Sequence, residues 1–390
     1  MIYVDNAATT KMSKEVLDSM MPYLTDCYGN ASSIYSFGQQ NREVIENARE
    51  TIAGLIGAKP GEIFFTGCGS EADNWAIFGA ARKNVKKGKH LITSVIEHHA
   101  VLHCFQQLEK EGFTVTYIPV NSDGLVSVDD VKNAITPETT LISIMMANNE
   151  IGTIQPIKEI AQIAKENNIV FHTDAVQAVG HIPVNVEDLG VNLLSVSAHK
   201  FEGPKGVGFL YVKTGTWLSQ LMYGGAQERN RRAGTENVAG IVGMATALKI
   251  AVENLDANMK KCYELRERFI DGVLSKIEHC RLNGSRTERL PGNANISFEF
   301  IEGESLLLSL DLVGIAASSG SACTSGSLDP SHVLLAIGLP HAIAHGSLRA
   351  SFSHRNTSEE VDKIIEELVK IVQRLRDMSP LYEDYLKGKK

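Results

Sequence analysis

The chain has 390 residues, 43% of them hydrophobic, and a formal net charge of −8, so it is long enough for a large apolar core. The negative charge argues against nonspecific nucleic-acid binding, which requires a basic surface. No stretch reaches the roughly 18 consecutive apolar residues of a membrane span, and the N-terminus lacks the pattern of a secretory signal. We therefore expect a cytoplasmic protein that binds neither membranes nor nucleic acids directly.

The cysteines are scattered along the chain without any C-x-x-C pair. They stand at positions 27, 68, 104, 262, 280 and 323. In a cytoplasmic protein of this size, we expect free thiols and not a disulfide framework. A reactive cysteine therefore has to be identified by its surroundings.

Short apolar strands alternate with amphipathic helices over the first two thirds of the chain. Strands are predicted at residues 62–66, 90–94, 115–120, 140–145, 169–172, 193–197 and 207–212. Helices are predicted at residues 73–83, 99–110 and 156–167. This alternation predicts an α/β sheet covered by helices on both faces, with ligands bound at the carboxyl ends of the strands.

The pattern changes after about residue 245. Here the sequence predicts one long helix at 244–277, a strand at 294–300, a short helix at 305–310 and a terminal helix at 358–377, with Ser358 as its N-cap. We interpret this part as a smaller α+β domain. The predicted division is 15–250 for a large domain and 1–14 with 251–390 for a small one.

The segment Ser197-Ala-His199-Lys200 directly follows a predicted strand and precedes a glycine-rich turn. A lysine at this position suits a Schiff base with an aldehyde cofactor, while Ser197 and His199 can donate hydrogen bonds to a phosphate. The alternative is an ordinary surface lysine on a turn.

A second strand ends in Asp174, with Gln177 three residues later. Pyridoxal phosphate requires a carboxylate beside its pyridine nitrogen, so that the nitrogen stays protonated and the ring accepts electrons. Asp174 is placed for this role, and Gln177 for a contact with the ring hydroxyl. The alternative is that Asp174 only caps a following helix.

A third segment, residues 64–74, reads as a strand, a turn of small residues and a helix start. Backbone amides and the helix dipole favour an anion at such a helix start. We expect Gly69 and Ser70 to hold the cofactor phosphate. The glycine spacing matches neither the dinucleotide-binding fingerprint nor the P-loop.

His98 follows another predicted strand, and its imidazole is our candidate to stack on the cofactor ring. His99 and His103 lie one helical turn apart, with Cys104 adjacent, so a metal site is an alternative for this segment. It lacks the His-Glu-x-x-His pattern. Helix packing is the ordinary interpretation of His103 and Cys104.

Taken together in this order, these segments resemble the class V aminotransferase family, and within it the cysteine desulfurases of the NifS/IscS type. The resemblance rests on Tyr3-Val-Asp5-Asn6-Ala-Ala-Thr-Thr, Tyr28-Gly-Asn30, Ala147-Asn-Asn149-Glu-Ile-Gly-Thr, Ser197-Ala-His-Lys200, Arg232-Ala-Gly-Thr235, Ala317-Ser-Ser-Gly-Ser-Ala-Cys323 and Ser347-Leu-Arg349. It implies fold type I of the pyridoxal-phosphate enzymes. That fold has a large domain with a mixed, mainly parallel sheet between helices, plus a smaller α+β C-terminal domain.

The resemblance also implies further site residues. The residue matching Asn149 lies beside the cofactor hydroxyl and the substrate, and the one matching Thr235 reaches the phosphate of the other subunit, which implies a homodimer. The one matching Arg349 binds the substrate carboxylate, a role suited to a planar bidentate cation. The alternative for Arg349 is a surface ion pair.

Cys323 lies in a run of small residues between Gly320 and Gly326, which predicts an exposed, mobile loop. The resemblance makes this thiol the nucleophile that takes sulfur from L-cysteine. It implies that alanine is released and that the persulfide sulfur passes to an acceptor such as an iron–sulfur scaffold protein.

Two other classes of function stay open at this stage. One is a different pyridoxal-phosphate enzyme on the same scaffold, such as a selenocysteine lyase or a transaminase. The other is a non-catalytic docking subunit, although the joint presence of Lys200, Asp174, His98, Cys323 and Arg349 argues against it.

Overall fold

The computed structural model describes residues 1–319 and 330–388. Its strands are β1 (Ile2–Tyr3), β2 (Ile63–Thr66), β3 (His90–Ser94), β4 (Thr114–Ile118), β5 (Thr139–Ser143), β6 (Val170–Asp174), β7 (Leu193–Ser197), β8 (Gly208–Val212), β9 (Cys280–Leu282), β10 (Asn293–Phe298), β11 (Ile315–Ala316) and β12 (Ser347–Ser351).

The α-helices of the described residues surround these strands. They are α1 (Lys14–Leu24), α2 (Ser36–Leu55), α3 (Gly69–Asn84), α4 (His99–Lys110), α5 (Val128–Ala134), α6 (Ile157–Glu166), α7 (Val186–Leu189), α8 (Gln227–Asn230), α9 (Val238–Glu253), α10 (Leu255–Lys276), α11 (Gly303–Leu312), α12 (His332–Ala336), α13 (His341–His345), α14 (Ser358–Asp377) and α15 (Pro380–Leu386).

A seven-stranded sheet in the order β2-β8-β7-β6-β5-β3-β4 forms the centre of the larger part. Strand β8 is antiparallel to both of its neighbours, and the other pairs are parallel. All residues of β3, β5 and β7 are buried, as expected for strands covered by helices on both faces. The predicted α/β class with a mixed, mainly parallel sheet is confirmed.

A smaller sheet in the order β12-β10-β9 is antiparallel and packs on α10 and α11, and α14 packs against both of these helices. Its core contains Phe269, Phe298 and Leu368, which are all fully buried. The N-terminal strand β1 joins this part of the chain, because it pairs with β11 in parallel. The division of the chain at residues 15 and 250 stays a prediction.

The single long helix predicted at 244–277 is wrong. The chain forms α9 and α10 instead, with a bend of 73° between them. Asn254 is the C-cap of α9, and its side-chain amide donates to the carbonyl of Ile250. No single helix among the described residues is long and apolar enough to span a membrane, and α9 with α10 passes that test only as a bent pair.

The start of α14 also differs from the prediction by one residue. Thr357, and not Ser358, is the N-cap, because the Thr357 side chain accepts from the backbone N–H of Glu360 and the Glu360 carboxylate accepts from that of Thr357. The helices α1 and α2 were not predicted.

A buried ion pair joins α2 to the segment before α9. The Arg49 guanidinium donates to both carboxylate oxygens of Glu228 at 2.8 Å, and Glu228 also accepts from the backbone N–H of Phe65 at 2.9 Å. Both side chains are less than 5% exposed. Removing either partner leaves a buried charge without its counter-ion.

We predict that Arg49→Ala lowers the free energy of unfolding by about 3–5 kcal/mol, because Glu228 is left buried and uncompensated. The matched control is Arg82→Ala, which removes an ion pair with Glu111 whose side chains are 44% and 31% exposed. That change should cost about 1 kcal/mol or less. Urea denaturation at pH 7 measures both, and similar losses in the two variants would contradict the argument.

Candidate active site

The carboxyl ends of several strands meet at one edge of the large sheet. Strand β2 runs in the same direction as β7, because both are antiparallel to β8. The chain leaves this edge after Thr66, Ser94, Asp174 and Ser197, which end β2, β3, β6 and β7. The segments that the sequence singled out therefore lie at this common edge.

Lys200 ends a short 3₁₀ helix, Ala198–Lys200, that directly follows β7. Its ammonium group is half-buried and donates to the backbone carbonyls of Ala7 at 2.7 Å and Ala8 at 2.8 Å. The amine is therefore held inside the site by the N-terminal segment of the chain. Sequence reasoning did not identify these two carbonyl partners.

Asp174 is buried at the end of β6, and a turn follows it, not a helix. Its Oδ1 accepts from the backbone N–H of Val176 at 2.9 Å. Burial raises the pKa of the Asp174 carboxyl from 3.8 to about 6, opposed by the Val176 hydrogen bond and by the charge of Lys200. Gln177 donates to the carbonyl of Ala7 at 2.9 Å, so it lies beside Lys200.

His98 is the N-cap of α4, and its Nδ1 accepts from the backbone N–H of Ala100 at 3.1 Å. A neutral ring in this arrangement carries its proton on Nε2. Burial, followed by the positive charge of Lys200, lowers the pKa of His98 to about 4. The ring is therefore neutral at physiological pH and lies close enough to Lys200 to sense its charge.

The start of α3 packs against the end of β7. A Cβ atom on Gly69 would lie 2.7 Å from Cγ2 of Val176 and 3.2 Å from Cβ of Ser197, so only glycine allows this approach. Ser70 is exposed in the first turn, and Cys68 is the N-cap, with its thiol accepting from the N–H of Glu71. A helix start of this kind offers backbone amides that can bind an anion.

His199 contacts the N-terminal segment of the chain. Its Nδ1 is 3.1 Å from the hydroxyl of Thr9, and its backbone carbonyl accepts from Thr10. Burial and the neighbouring Lys200 lower the pKa of His199 to about 4, so the ring is neutral and has one N–H to donate.

Arg349 on β12 is 2% exposed, so it is not part of a surface ion pair. Its guanidinium donates to Oδ1 of Asp5 at 2.7 Å and to the backbone carbonyl of Asn149 at 2.9 Å. Asn149 is half-buried, whereas Asn148 is fully buried. The Asn148 side-chain amide donates to the carbonyl of Ile96, and its side-chain oxygen accepts from the backbone N–H of Glu150. Asp5 lies in the N-terminal motif that begins at Tyr3, and the sequence predicted no role for it.

Thr235 is exposed, and no contact places it near Lys200 within the described residues of this single chain. The segment before it is strained, because Glu228, Arg229 and Asn230 have φ values of 46°, 58° and 62°. Arg232 ties this segment to the start of α3, since it donates to both carboxylate oxygens of Glu71 at 2.7 and 3.0 Å.

The histidines near His98 form a loose cluster. The ring of His99 lies 5.1 Å from that of His103 and 4.9 Å from that of His332. In residues 1–319 and 330–388, no group of three or more His, Cys, Asp and Glu side chains is arranged to hold a metal ion.

Cys323 and the loop predicted around it lie outside the described residues. Among the described cysteines, burial raises the pKa of the Cys104 thiol to about 12 and that of Cys262 to about 11. The pKa of Cys280 is also raised by burial. These three thiols are poor nucleophiles at neutral pH.

The raised pKa of Asp174 predicts a pH-dependent stability for the unliganded protein. The folded state holds a proton on this carboxyl at pH 5 that the unfolded state releases, so stability falls as the pH rises through 6. Between pH 5 and 8, the free energy of unfolding of the parent protein should fall by about 1.4 kcal/mol relative to that of Asp174→Asn. Denaturant titrations at both pH values measure this difference. As the control, Asp256→Asn at an exposed position should behave like the parent, and parallel curves for all three proteins would refute the assignment.

Comparison with known proteins agrees with this architecture. The model of the aminotransferase class-V family matches residues 2–364. The cysteine desulfurase IscS of Clostridium botulinum is 56% identical over 390 residues, covering 100% of this chain and 98% of that protein. A solved NifS-like protein has a TM-score of 0.90 at 39% identity, covering 96% of this chain and 100% of that one.

A second solved structure, SspA in complex with cysteine, has a TM-score of 0.80 at 38% identity and covers 90% of this chain and 99% of its own. The match therefore extends over both the large sheet and the smaller C-terminal part. The resemblance inferred from the motifs is confirmed, and this chain belongs to the class-V aminotransferase family.

Proposed function

We propose that this protein is a cysteine desulfurase that binds pyridoxal phosphate on Lys200 and transfers the sulfur of L-cysteine to Cys323. The observation that carries the proposal is that Lys200 and Arg349 both contact the N-terminal segment, while Asp174 lies close enough to Lys200 for its pKa to respond to that charge. An amine, a buried carboxylate and a buried guanidinium are the groups that this reaction requires. A relative that matches over the full length of the chain is named cysteine desulfurase IscS.

The residues at the sheet edge fit the cofactor. Asp174 is a buried carboxyl with a raised pKa, so a protonated ring nitrogen would stabilise its ionised form. The neutral ring of His98 can stack on the cofactor face, and Gln177 with Asn149 can reach the ring hydroxyl. Bound there, pyridoxal phosphate supplies an electron sink for the carbanion formed at the substrate Cα.

The phosphate site of this proposal combines a helix start with polar side chains. Gly69 and Ser70 contribute backbone amides at the start of α3. Ser197 and His199 contribute one donor each. Thr235 is exposed on the surface and is assigned to the phosphate of the second subunit in a homodimer.

Lys200 and Arg349 act on the substrate. As a neutral amine, Lys200 takes the α-proton of cysteine. The Ala7 and Ala8 carbonyls then accept hydrogen bonds from the ammonium that forms. Arg349 exchanges its contact with Asp5 for the substrate carboxylate, which accepts the same fork of donors.

The Cys323 thiolate attacks the sulfur of the substrate, the Cβ–S bond breaks, and the carbon product is released as alanine after protonation. A thiol with an ordinary pKa of about 8.5 is only a few per cent thiolate at pH 7, so activation of Cys323 is part of the proposal. The sulfur remains on Cys323 as a persulfide and passes to an acceptor, which we propose to be an iron–sulfur scaffold protein.

A homodimer in the cytoplasm belongs to the same proposal. Large apolar side chains are exposed on two segments, with Tyr28 and Ile34 on one and Trp217 and Tyr223 on the other, at 64–96% exposure. Exposed apolar surface of this kind is typical of an interface between subunits.

We predict that Cys323→Ser binds the cofactor normally but forms no persulfide and releases no sulfide, because serine cannot carry the transferred sulfur. Mass spectrometry of the intact protein after cysteine treatment measures the added sulfur, and product analysis measures alanine. Lys200→Ala is the matched control that should lose both the lysine-linked absorption band and the added sulfur. A persulfide on Cys68 or Cys27 would overturn the choice of nucleophile, and a keto-acid product would indicate a transaminase.

We predict that Arg349→Ala lowers kcat/KM for cysteine about 10²-fold while cofactor binding is retained, because a charge-assisted bidentate contact is lost. Arg268→Ala is the control, since that arginine pairs with Asp362 at the surface and is 50% exposed. Steady-state kinetics measure both variants. An unchanged kcat/KM in Arg349→Ala would contradict the substrate role of Arg349 and leave it only a structural contact with Asp5.

A further inference from the structure

A bidentate ion pair connects the segment that follows β7 to the segment that follows β12, and it has no part in the function proposed above. The Arg355 guanidinium donates to both carboxylate oxygens of Glu202, from Nε at 2.9 Å and from Nη2 at 2.5 Å. Nε2 of His354 lies 3.6 Å from Oε1 of the same carboxylate. The Glu202 side chain is 17% exposed and that of Arg355 is 42% exposed, so the carboxylate is largely shielded from water.

Glu202 is held in an unfavourable backbone conformation two residues after Lys200. Its φ of 65° lies in the left-handed region, which residues with a Cβ atom rarely adopt. Its backbone N–H donates to Oγ1 of Thr10 at 2.7 Å, and the Thr10 hydroxyl donates in turn to the His199 carbonyl at 2.8 Å. Such strain persists only where surrounding contacts compensate for it. The ion pair and the Thr10 hydrogen bond supply those contacts here.

Arg355 belongs to a hydrogen-bonded turn that continues from β12. The backbone N–H of Ser353 donates to Oδ1 of Asn356 at 3.0 Å, and that of Arg355 donates to Oγ of Ser353 at 3.3 Å. The Asn356 side-chain amide also donates to the carbonyl of Tyr3 on β1 at 3.0 Å. This turn therefore connects Arg355 firmly to Arg349, which lies six residues earlier on β12.

Both segments line a cleft of about 910 Å³, so close packing alone does not fix the distance between them. The cleft is lined by Phe201 and Glu202 from the first segment and by Phe352 and His354 from the second. In a filled interface, interlocking side chains set the separation of two elements. Across a cleft, that separation depends on side chains that bridge it, and the Glu202–Arg355 pair is such a bridge.

The ion pair is placed to act while substrate is bound. In the proposed function, Arg349 gives up its contact with Asp5 when it binds the substrate carboxylate, so one link between β12 and the N-terminal segment is lost. Glu202 and Arg355 have no assigned contact with substrate or cofactor. Their ion pair is therefore retained when the alignment of the substrate matters.

We propose that Glu202 and Arg355 are positioning residues, whose ion pair holds the segments after β7 and β12 at the separation that an α-amino acid requires. This rests on the proposed function, in which Lys200 acts at Cα of the substrate and Arg349 binds its carboxylate. Those two carbons are joined by a single bond, so the groups that act on them have to be held within about 0.5 Å of the productive geometry. Without the ion pair, cysteine binds with its Cα poorly aligned to the amine.

The first test measures kcat/KM for alanine formation from cysteine in Glu202→Gln and in Arg355→Met, with the cofactor-loaded full-length protein. Each change should lower kcat/KM about tenfold, because the substrate is misaligned. In an Arg349→Ala background, the same changes should cost about twofold or less, because no guanidinium is left to position. Equal losses in both backgrounds would indicate a general loss of stability, and they would overturn the proposal. An unchanged kcat/KM in the parent background would overturn it as well.

The matched control is Arg268→Met. Arg268 also contacts both carboxylate oxygens of its partner, Asp362, at 2.7 and 2.6 Å, but this pair joins α10 to α14 within the smaller part of the molecule. Its loss should leave kcat/KM for cysteine unchanged. A tenfold loss in Arg268→Met would show that any surface ion pair has this effect, and would overturn the proposal.

The second test is hydrogen exchange of the unliganded protein, followed by mass spectrometry of its peptides. Arg355→Met should speed exchange of the backbone amides at 200–203 and at 350–356, because the two segments are released from each other, whereas Arg268→Met should not. Unchanged exchange in Arg355→Met would overturn the proposal. If the parent forms no alanine from cysteine, the proposed function fails, while the exchange still decides whether the ion pair holds the two segments together.

Discussion

The burial of the Asp174 carboxyl at the end of β6 is the constraint on which the rest of the site depends. Helices on both faces of a mainly parallel sheet exclude water from the strand ends, so an ionised group there needs a cation beside it. In the unliganded chain, Lys200 supplies only part of that stabilisation, and the pKa of Asp174 stays at about 6. In the proposed function, the cationic ring nitrogen of the cofactor would supply the rest of the stabilisation of the Asp174 carboxylate. The same exclusion of water keeps the rings of His98 and His199 neutral.

The N-terminal segment connects the site to both parts of the molecule. Its carbonyls at Ala7 and Ala8 accept from Lys200, its Asp5 carboxylate accepts from Arg349, and β1 joins the smaller part through β11. In the proposed function, a substrate with an amino group and a carboxylate replaces contacts that this segment makes in the free protein. Binding would then exchange internal hydrogen bonds for equivalent ones, which limits the desolvation cost of a half-buried lysine and a buried arginine.

Much of the site was predictable because polar residues at strand ends stand out against apolar strands. Lys200, Asp174 and His98 each follow a strand whose position was predicted within one or two residues, and the structure places them at one edge. The partner of Arg349 was not predictable in this way, since Asp5 lies 344 residues away in sequence. The bend at Asn254 was also missed, because the apolar pattern continues across it.

The sequence by itself determined which side chains reach the carboxyl edge of the sheet, because the alternation of strand and helix gives every parallel strand the same direction. It also determined the family, through motifs whose order is specific even where each motif is not. Only the tertiary structure decided which of these groups are charged and what each one contacts. Protonation depends on the loss of water and on partners from other segments, as at Asp73, whose buried carboxyl lies 3.6 Å from Nε2 of His172 on β6. A local sequence pattern cannot predict such a contact, because the contact forms only when α3 packs across β6 and β7.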